Sequence, residues 1–311
     1  MSVLSMGTMA PCYRTLWEQT IESRDVRAVV LGPRALGLKP LDQAPRLSQA
    51  AAEVLRAVEV IDEHGAKRSI HIPKERPLTV MLDERELVTL MTLGGAPEWL
   101  VLGYLRNQHL IPEIGTMESI LVDWDSATAR VQSRLVERAL ESPEGTVART
   151  ACAMGTAFGD TMKAIEGMVL PDWGTASISR STLLSILGST RALDDIHRAA
   201  GSVHGCALYS EADLWVSIED VSRHNGLDSV TGWMALHGVA GGDKVLFTTG
   251  RLTGEMVMKA AFNGIPILIT RNGVTDMGYR IAVQLQMSLF GRAANRRYLC
   301  YTGAERFDPD S

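Results

Sequence analysis

Alternating apolar and polar residues predict paired β-strands in the first half of the chain. Three pairs of short segments each flank a turn that contains aspartate. The pairs are residues 57–61 with 68–72, residues 78–82 with 87–92, and residues 119–124 with 129–135. Because such pairs are typical of β-hairpins, we predict a β-rich part over residues 57–140. Residues 1–56 have mixed patterns and form an unassigned N-terminal extension.

An apolar helix interrupts these strands. Pro97 and Glu98 precede the sequence WLVLGYLRNQ, which ends at Gln108. Proline suits the first turn of a helix, and a glutamate there complements the positive end of the helix dipole. The apolar stretch from Leu90 to Leu105 is broken by Pro97 and Glu98, so it is too short to span a membrane, and we expect no membrane partner.

The last third of the chain alternates strands and helices. The predicted strands cover residues 244–249, 265–270, 288–290 and 299–302, and the predicted helices cover residues 253–262 and 276–286. Strand, helix, strand, helix, strand at this spacing is a βαβαβ unit, so we predict an α/β fold with a mostly parallel sheet covered on both faces. Ligands of such sheets bind beyond the carboxyl ends of the strands, which here are residues 249–254 and 271–275.

Three weaker patterns precede this unit. A helical pattern over residues 181–200 is broken near Gly188, and strand patterns follow at residues 204–210 and 214–218. We therefore predict that the α/β domain covers residues 181–311. Residues 141–180 are richer in Gly, Ser, Thr and Pro, which favours a long, mobile connection.

Composition and charge narrow the classes of function. The chain has 31 Lys and Arg against 36 Asp and Glu, so its net charge is −5. An acidic balance of this kind excludes a protein that coats nucleic acid through bulk positive charge, and we expect no nucleic-acid partner. Apolar residues make up 46% of the chain and charged residues 22%, which is typical of a globular protein.

The cysteines are too far apart to form a local zinc site. They are Cys12, Cys152, Cys206 and Cys300. We therefore expect no metal site, reduced thiols and a cytoplasmic protein. Cys206 and Cys300 lie in predicted strands, so we expect both in the core. Cys152 follows Arg149 in the Gly-rich connection, where a thiol beside a cation can ionise and attack, although a lone cysteine is more often a small buried apolar residue.

The loop TTGRLTGE at residues 248–255 is the first candidate ligand site. Its two glycines let the backbone approach a ligand, and Arg251 can bind a phosphate or carboxylate through two parallel hydrogen bonds. The alternative is an ordinary strand-to-helix turn with a solvated arginine. The loop is not a Walker A motif, since it lacks the GxxxxGK[ST] spacing.

The sequence EDVSRHN, residues 219–225, is the second candidate. Asp220 lies three and four residues before Arg223 and His224, so a helix would place them on one face with Asp220 as its cap. A capped helix with a surface ion pair explains the pattern equally well. His204 opens a predicted strand, where a polar core histidine is the default interpretation.

Arginines crowd the predicted edge of the last strand. Arg292, Arg296, Arg297 and Arg306 stand close together in an otherwise acidic chain. This pattern favours an anionic ligand such as a pyrophosphate, because arginine binds phosphate through two parallel hydrogen bonds. A solvated basic rim is the alternative.

Taken in order, these segments resemble the formate dehydrogenase accessory sulfurtransferases, the FdhD/NarQ family. The resemblance rests on ERPLTVMLDERE with EWLVLGYLRNQHLI, on ARTACAMG, on GSVHGCAL, on EDVSRHNGLD, on TTGRLTGEMVMKAAFNGIPILIT and on FGRAANRRYLCYT. The two segments that begin EDVSRHN and TTGRLTGE are the most specific. The resemblance covers about residues 57–306.

The resemblance implies a fold, an activity and partners. The fold is a cytidine-deaminase-like three-layer α/β sandwich with a smaller β-rich N-terminal part, usually in a homodimer. The activity is that of a sulfur carrier, or sulfurtransferase, required by formate dehydrogenase. It passes persulfide sulfur from a cysteine desulfurase to the bis-molybdopterin guanine dinucleotide cofactor (bis-MGD), which is bound as substrate without a permanent cofactor or zinc.

The resemblance also implies roles for individual residues. Cys152 is the persulfide carrier. The segment that contacts the guanine dinucleotide comprises Arg292, Ala293, Ala294, Asn295, Arg296 and Arg297. The residues that line the same site are Arg251, Glu255, Arg223, His224 and His204.

The chain departs from the family pattern at the cysteine loop. The family loop has two cysteines, whereas Gly155 takes the place of the second cysteine here. Ser222 replaces a glycine, Ser229 a lysine and Arg292 an aromatic residue. The lost cysteine favours an alternative function, a non-catalytic chaperone of the molybdenum cofactor. A zinc deaminase is excluded because H-x-E and PCxxC are absent, and a Rossmann dehydrogenase because no GxGxxG follows a strand.

Overall fold

The structure is a computed structural model that describes residues 28–32, 35–111, 113–134, 167–172 and 176–311. Its strands are β1 (Val29–Leu31), β2 (Arg46–Leu47), β3 (Leu55–Ile61), β4 (Lys67–Pro73), β5 (Arg76–Leu82), β6 (Arg85–Thr92), β7 (Met117–Asp123), β8 (Thr128–Ser133), β9 (Ile178–Ser179), β10 (His204–Ser210), β11 (Asp213–Asp220), β12 (Lys244–Thr248), β13 (Ile267–Thr270), β14 (Ser288–Ala294), β15 (Arg297–Thr302) and β16 (Phe307–Asp308). The three predicted hairpins are confirmed as β3–β4, β5–β6 and β7–β8.

Six α-helices accompany these strands in the described ranges. They are α1 (Pro97–Asn107), α2 (Arg180–Ser189), α3 (Asp195–Ala200), α4 (Arg223–Leu236), α5 (Gly254–Phe262) and α6 (Asp276–Gln284). The break that the sequence predicts near Gly188 separates α2 from α3. Within these ranges, no helix combines the length and the apolar character that crossing a bilayer requires.

The larger sheet has seven strands in the order β1-β11-β10-β12-β13-β14-β15. The pairs β12–β13 and β13–β14 are parallel, and the other four pairs are antiparallel. The α/β class is confirmed, but the prediction of a mostly parallel sheet is wrong. Crossovers through α5 and α6 produce the parallel pairs, whereas β10–β11 and β14–β15 are joined by two-residue turns that force antiparallel pairing.

Both faces of the seven-stranded sheet are covered by helices. On one face, α4, α5 and α6 pack their apolar side chains against alternate strand residues, with Trp233 fully buried. On the other face, Leu183 and Ile186 of α2 pack with Phe307 against the remaining strand side chains. The cytidine-deaminase-like description of this arrangement stays a prediction.

A second, five-stranded sheet has the order β2-β7-β8-β5-β6 and packs against α1. The N-terminal extension, which the sequence left unassigned, contributes to both sheets. Strand β1 pairs with β11 at the edge of the larger sheet, and β2 pairs with β7 at the edge of the smaller one. Hairpin β3–β4 forms a separate two-stranded sheet.

Helices α1 and α4 connect the two sheets through direct backbone contact. A Cβ atom added to Gly103 of α1 would lie 1.7 Å from the carbonyl oxygen of Asp228 in α4. In the reverse direction, a Cβ atom on Gly232 would lie 1.9 Å from the carbonyl oxygen of Trp99. Only glycine permits this approach, so the two glycines set the distance between the helices.

We expect Gly103→Ala to destabilise the protein by about 3 kcal/mol, the upper end of the cost of overpacking, because the methyl group displaces α4. The control is Gly188→Ala in α2, where an added Cβ meets no atom within 4 Å. It should leave stability unchanged or raise it by up to about 1 kcal/mol. Urea unfolding followed by circular dichroism measures both changes. Equal stabilities for the two variants would contradict the close contact.

Candidate functional site

Functional side chains collect at one edge of the seven-stranded sheet, which we call the carboxyl edge. Strands β11, β12, β13 and β14 end there, and β10 begins there, because His204 pairs with Asp220 and Cys206 pairs with Thr248. Helices α4, α5 and α6 start at this edge and direct their N-terminal N–H groups towards it. The helix N-termini therefore give this edge a partial positive charge that favours an anion, independently of its side chains.

Asp220 connects the two sheets and does not join Arg223 on a helix face. It is the last residue of β11, and its carboxylate accepts hydrogen bonds from Thr92 Oγ1 (2.6 Å), Leu93 N (3.1 Å) and Asn225 Nδ2 (2.8 Å). Burial raises its pKa, against the effect of these donors. The prediction that Asp220 caps the helix is wrong.

The helix cap is Ser222, whose hydroxyl oxygen accepts a hydrogen bond from the backbone N–H of His224 (3.2 Å). Glu219 points to the opposite face of the sheet and accepts hydrogen bonds from Ile196 N (2.9 Å) and His197 N (3.0 Å) at the start of α3. Burial raises the pKa of Glu219 to about 7. The acidic residues of EDVSRHN are therefore structural.

Arg223 and His224 lie at the beginning of α4, where β12 ends. A Cβ atom on Gly250 would lie 2.7 Å from the Cβ of Arg223, so glycine makes room for the arginine side chain. His224 Nδ1 lies 3.5 Å from Glu255 Oε1 at the start of α5. These contacts bring Arg223, His224, Gly250 and Glu255 together, and their role as one ligand site stays a prediction.

A buried ion pair lies behind Glu255. Lys259 Nζ lies 2.9 Å from Asp228 Oδ2 and 3.2 Å from Glu255 Oε1, and the lysine side chain is only 3% exposed. Asn107 Nδ2 of α1 donates a hydrogen bond to Asp228 Oδ1 (2.7 Å). Burial lowers the pKa of Lys259, but Asp228 and Glu255 outweigh it and the net change is a rise. The sequence analysis missed Lys259, although its position four residues after Glu255 is a detectable helical pattern.

The surroundings of both histidines of the site favour the neutral ring. Burial, followed by the charges of Lys259 and Arg223, lowers the pKa of His224 to about 3. Burial, followed by Arg223, His197 and Arg251, lowers the pKa of His204. The arginines therefore carry the positive charge of the site, and the histidines supply hydrogen-bonding nitrogens.

Three loops run side by side along the carboxyl edge. Leu252, after β12, forms an isolated parallel bridge with Val274, after β13. Asn272 accepts a hydrogen bond from the backbone N–H of Arg292 in β14 (2.7 Å). Exposed Arg251 therefore belongs to a surface that continues to the turn between β14 and β15.

The turn between β14 and β15 presents most of the predicted nucleotide-binding segment. Five of its six residues are exposed; these are Arg292, Ala294, Asn295, Arg296 and Arg297. The sixth residue, Ala293, is buried and packs in the core. The backbone bulges between Gly291 and Ala294, and Arg292 and Asn295 take positive φ values of 51° and 59°.

A cleft of about 240 Å³ adjoins this turn. It is lined by Leu187, Arg191, Arg271, Ala293, Ala294 and Asn295. Arg271 forms an ion pair with Asp194 and lies 5.5 Å from the ring centre of Phe247. The sequence placed Arg271 in a ligand-binding loop without selecting it, and it contained no signal for Arg191, which follows the break after α2.

Two predictions from the sequence are wrong, one about Arg306 and one about Cys300. Arg306 is 2% exposed and donates hydrogen bonds to backbone carbonyls of Gln286, Asp172 and Ala176, so it is structural and does not belong to an anion site. Cys300 is exposed on β15, contrary to the prediction that it lies in the core.

Cys206 is confirmed as a core residue, and burial raises the pKa of its thiol to about 12. Cys152, the predicted persulfide carrier, lies outside the described residues. Within the described ranges, no group of three or more His, Cys, Asp or Glu side chains could hold a metal ion.

Comparisons with known proteins agree with the resemblance. The family model described as the FdhD/NarQ family matches residues 73–308. Two similar proteins are both named sulfur carrier protein FdhD. The one from Bacillus licheniformis is 28% identical over 239 residues, which cover 75% of this chain and 88% of that protein. The one from Wolinella succinogenes is 26% identical over 239 residues, which cover 76% and 82% of the two chains.

A solved structure shows the same fold. It is that of a protein from Desulfotalea psychrophila described as a formate dehydrogenase accessory protein, with a TM-score of 0.65 and 24% identity over 82% of this chain and 98% of that one. Since the family model covers well over half of its residues, this chain belongs to the FdhD/NarQ family.

We expect Lys259→Met to destabilise the protein by about 3–5 kcal/mol at pH 8, because it leaves Asp228 and Glu255 buried without their cation. The loss should be smaller at pH 5. Burial raises the pKa of Glu255 in the folded protein. A carboxyl group with a raised folded-state pKa favours folding while it is protonated at low pH, and this contribution is lost as the pH rises.

The matched control is Arg280→Met, which breaks the exposed pair with Asp276 and should change stability by less than about 0.5 kcal/mol. Urea unfolding at both pH values gives the comparison. A loss that is the same at pH 5 and pH 8 would show that Lys259 does not neutralise the buried carboxylates.

Proposed function

We propose that this member of the FdhD/NarQ family is a sulfur carrier that serves formate dehydrogenase by bringing sulfur to its bis-MGD cofactor. The names of the similar proteins support the sulfur-carrier role, and the name of the structural neighbour supports the link to formate dehydrogenase. The observation that carries the cofactor role is the joined set of three loops at the carboxyl edge, which begins at Arg251 and ends at the β14–β15 turn.

The chemistry of bis-MGD matches this surface. Its pyrophosphates need N–H groups and guanidinium groups, and the helix N-termini with Arg223, Arg251 and Arg271 supply both. The cleft beside Asn295 has room for a flat base, and Arg191 is one of the residues that line it. His204 and His224, being neutral, suit polar N–H or O–H groups of the ligand better than its phosphates.

Sulfur reaches the cofactor through Cys152 in this proposal. The Cys152 thiolate attacks the outer sulfur of a persulfide on a cysteine desulfurase. A new S–S bond forms at Cys152 while the donor's S–S bond breaks and releases the donor thiolate, so no oxidant is needed. Arg149 stands three residues before Cys152 in the sequence, and a cation close to a thiol favours its thiolate form. The protein is then a sulfurtransferase, and bis-MGD is the proposed acceptor of the sulfur that it carries.

We propose a cytoplasmic homodimer that meets the desulfurase and formate dehydrogenase in turn. No second thiol of the same loop takes part, since Gly155 occupies that place. The same glycine favours a second candidate function, a molybdenum-cofactor chaperone that holds bis-MGD without transferring sulfur.

Incubation with a cysteine desulfurase and cysteine should add the mass of one sulfur atom to Cys152, as measured by mass spectrometry of the intact protein and of its peptides. Cys152→Ala should abolish the adduct and the activation of formate dehydrogenase. The matched control, Cys300→Ala, removes an exposed thiol and should retain both. Full activation of formate dehydrogenase by Cys152→Ala would reject sulfur transfer and favour the chaperone.

Guanosine diphosphate, which carries the guanosine and pyrophosphate of the cofactor, should bind the protein. Arg251→Ala and Arg296→Ala should each weaken its Kd about tenfold or more, because each removes a charge-assisted hydrogen bond. Arg130→Ala, an exposed arginine on β8 in the other sheet, is the control and should leave the Kd unchanged. Calorimetric titration gives the Kd values. Equal Kd values for all variants would show that the nucleotide binds at another place on the protein.

A further inference from the structure

The buried cluster behind the site contains more negative than positive charge. Asp228 and Glu255 share the single ammonium group of Lys259, at 2.9 Å and 3.2 Å. The side chains of Asp228 and Lys259 are each 3% exposed, and that of Glu255 is 20% exposed. One negative charge is therefore left to be balanced by neighbouring groups or neutralised by a proton.

The two carboxylates are not equivalent. Asp228 receives hydrogen bonds from both Lys259 and Asn107, deep between α1, α4 and α5. Glu255 has Lys259 on one side and His224 Nδ1 at 3.5 Å on the other, and it is the more exposed carboxylate, next to the site. Burial raises its pKa, partly opposed by Lys259 and Arg223. A proton that enters the cluster from the site is therefore placed on Glu255.

Charged and titratable side chains of three helices surround Glu255 among the described residues. From α4 these groups are Arg223, His224 and Asp228, from α5 Lys259, and from α1 Tyr104. Burial and nearby cations lower the pKa of His224, which favours its neutral ring, and burial with Asp228 and Glu255 raises the pKa of Tyr104 to about 12. Arg223 precedes His224 at the start of α4, and its charge partly opposes the effect of burial on the pKa of Glu255.

We propose that Glu255 takes up one proton when an anionic ligand binds beside Arg223 and Arg251, an inference that rests on the proposed cofactor site. The phosphates of the ligand offset the field of the arginines, and a nearby negative charge favours the neutral form of a carboxyl group. The proton comes from bulk solvent and returns to it when the ligand leaves. Ligand affinity and proton affinity are therefore linked, so the ligand binds more weakly as pH rises.

Calorimetric titration of the full-length protein with guanosine diphosphate, in two buffers of different ionisation enthalpy, measures this uptake. For the wild type, titrated over a series of pH values, we expect an uptake of up to one proton per nucleotide and an affinity that falls by up to tenfold per pH unit. Glu255→Gln should remove this uptake and flatten the pH dependence. Ionisation of the nucleotide itself is the same for every variant and cancels in the comparison.

Two controls locate the proton. Glu118→Gln changes an exposed carboxyl on β7 and should leave the uptake as in the wild type. Glu219→Gln removes another buried carboxyl of raised pKa, which faces α3 instead of Arg223, and should also retain it. Uptake that persists in Glu255→Gln, or that disappears in Glu219→Gln instead, overturns the inference.

Two further results separate this inference from the proposed function. If the wild type binds no guanosine diphosphate, the cofactor site itself is rejected, and the inference with it. If it binds the nucleotide, a difference infrared spectrum of the wild type should show a new protonated carboxyl band, which tests the proposal even if Glu255→Gln does not fold. Binding without that band overturns the inference while the cofactor site stands.

Discussion

The buried ion pair between Lys259 and Asp228 is the interaction on which the rest of the structure depends. A charge in the interior must have a partner at hydrogen-bond distance, so the pair fixes α5 against α4. Asn107 extends the network to α1 by donating to Asp228, and Asn263 donates to Asn107 Oδ1 (2.8 Å). The network requires the helices to be close, and the glycines of α1 and α4 make that possible.

This arrangement explains why one short segment serves both the scaffold and the site. Along residues 219–225, successive side chains point in different directions, because a strand ends and a helix begins within four residues. Glu219 and Asp220 therefore reach α3 and the second sheet, while Arg223 and His224 face the carboxyl edge. The segment therefore holds Arg223 and His224 close to the buried hydrogen bonds of Glu219 and Asp220, which fix its position.

The charge of the site is carried by its arginines. His204 and His224 lie among cations and are buried, and both effects favour the neutral ring. Arg223, Arg251 and Arg271 supply guanidinium groups, the side-chain cations that bind phosphate through paired hydrogen bonds. An anionic ligand therefore meets a positive field that does not depend on histidine titration, and the buried carboxylates behind it shape that field.

Local patterns in the sequence determined the hairpins, the βαβαβ unit and the family, because hydrophobic periodicity and short motifs depend only on neighbouring residues. They also placed the ligand loops at strand ends. Only the tertiary structure decided that the sheet is mixed, that Arg306 binds backbone carbonyls instead of a ligand, and that Cys300 is exposed. These outcomes depend on which strand or carbonyl group packs next to a residue in the folded chain. Arg306 and Asp172 are more than a hundred residues apart, so the sequence around either residue does not reveal its partner.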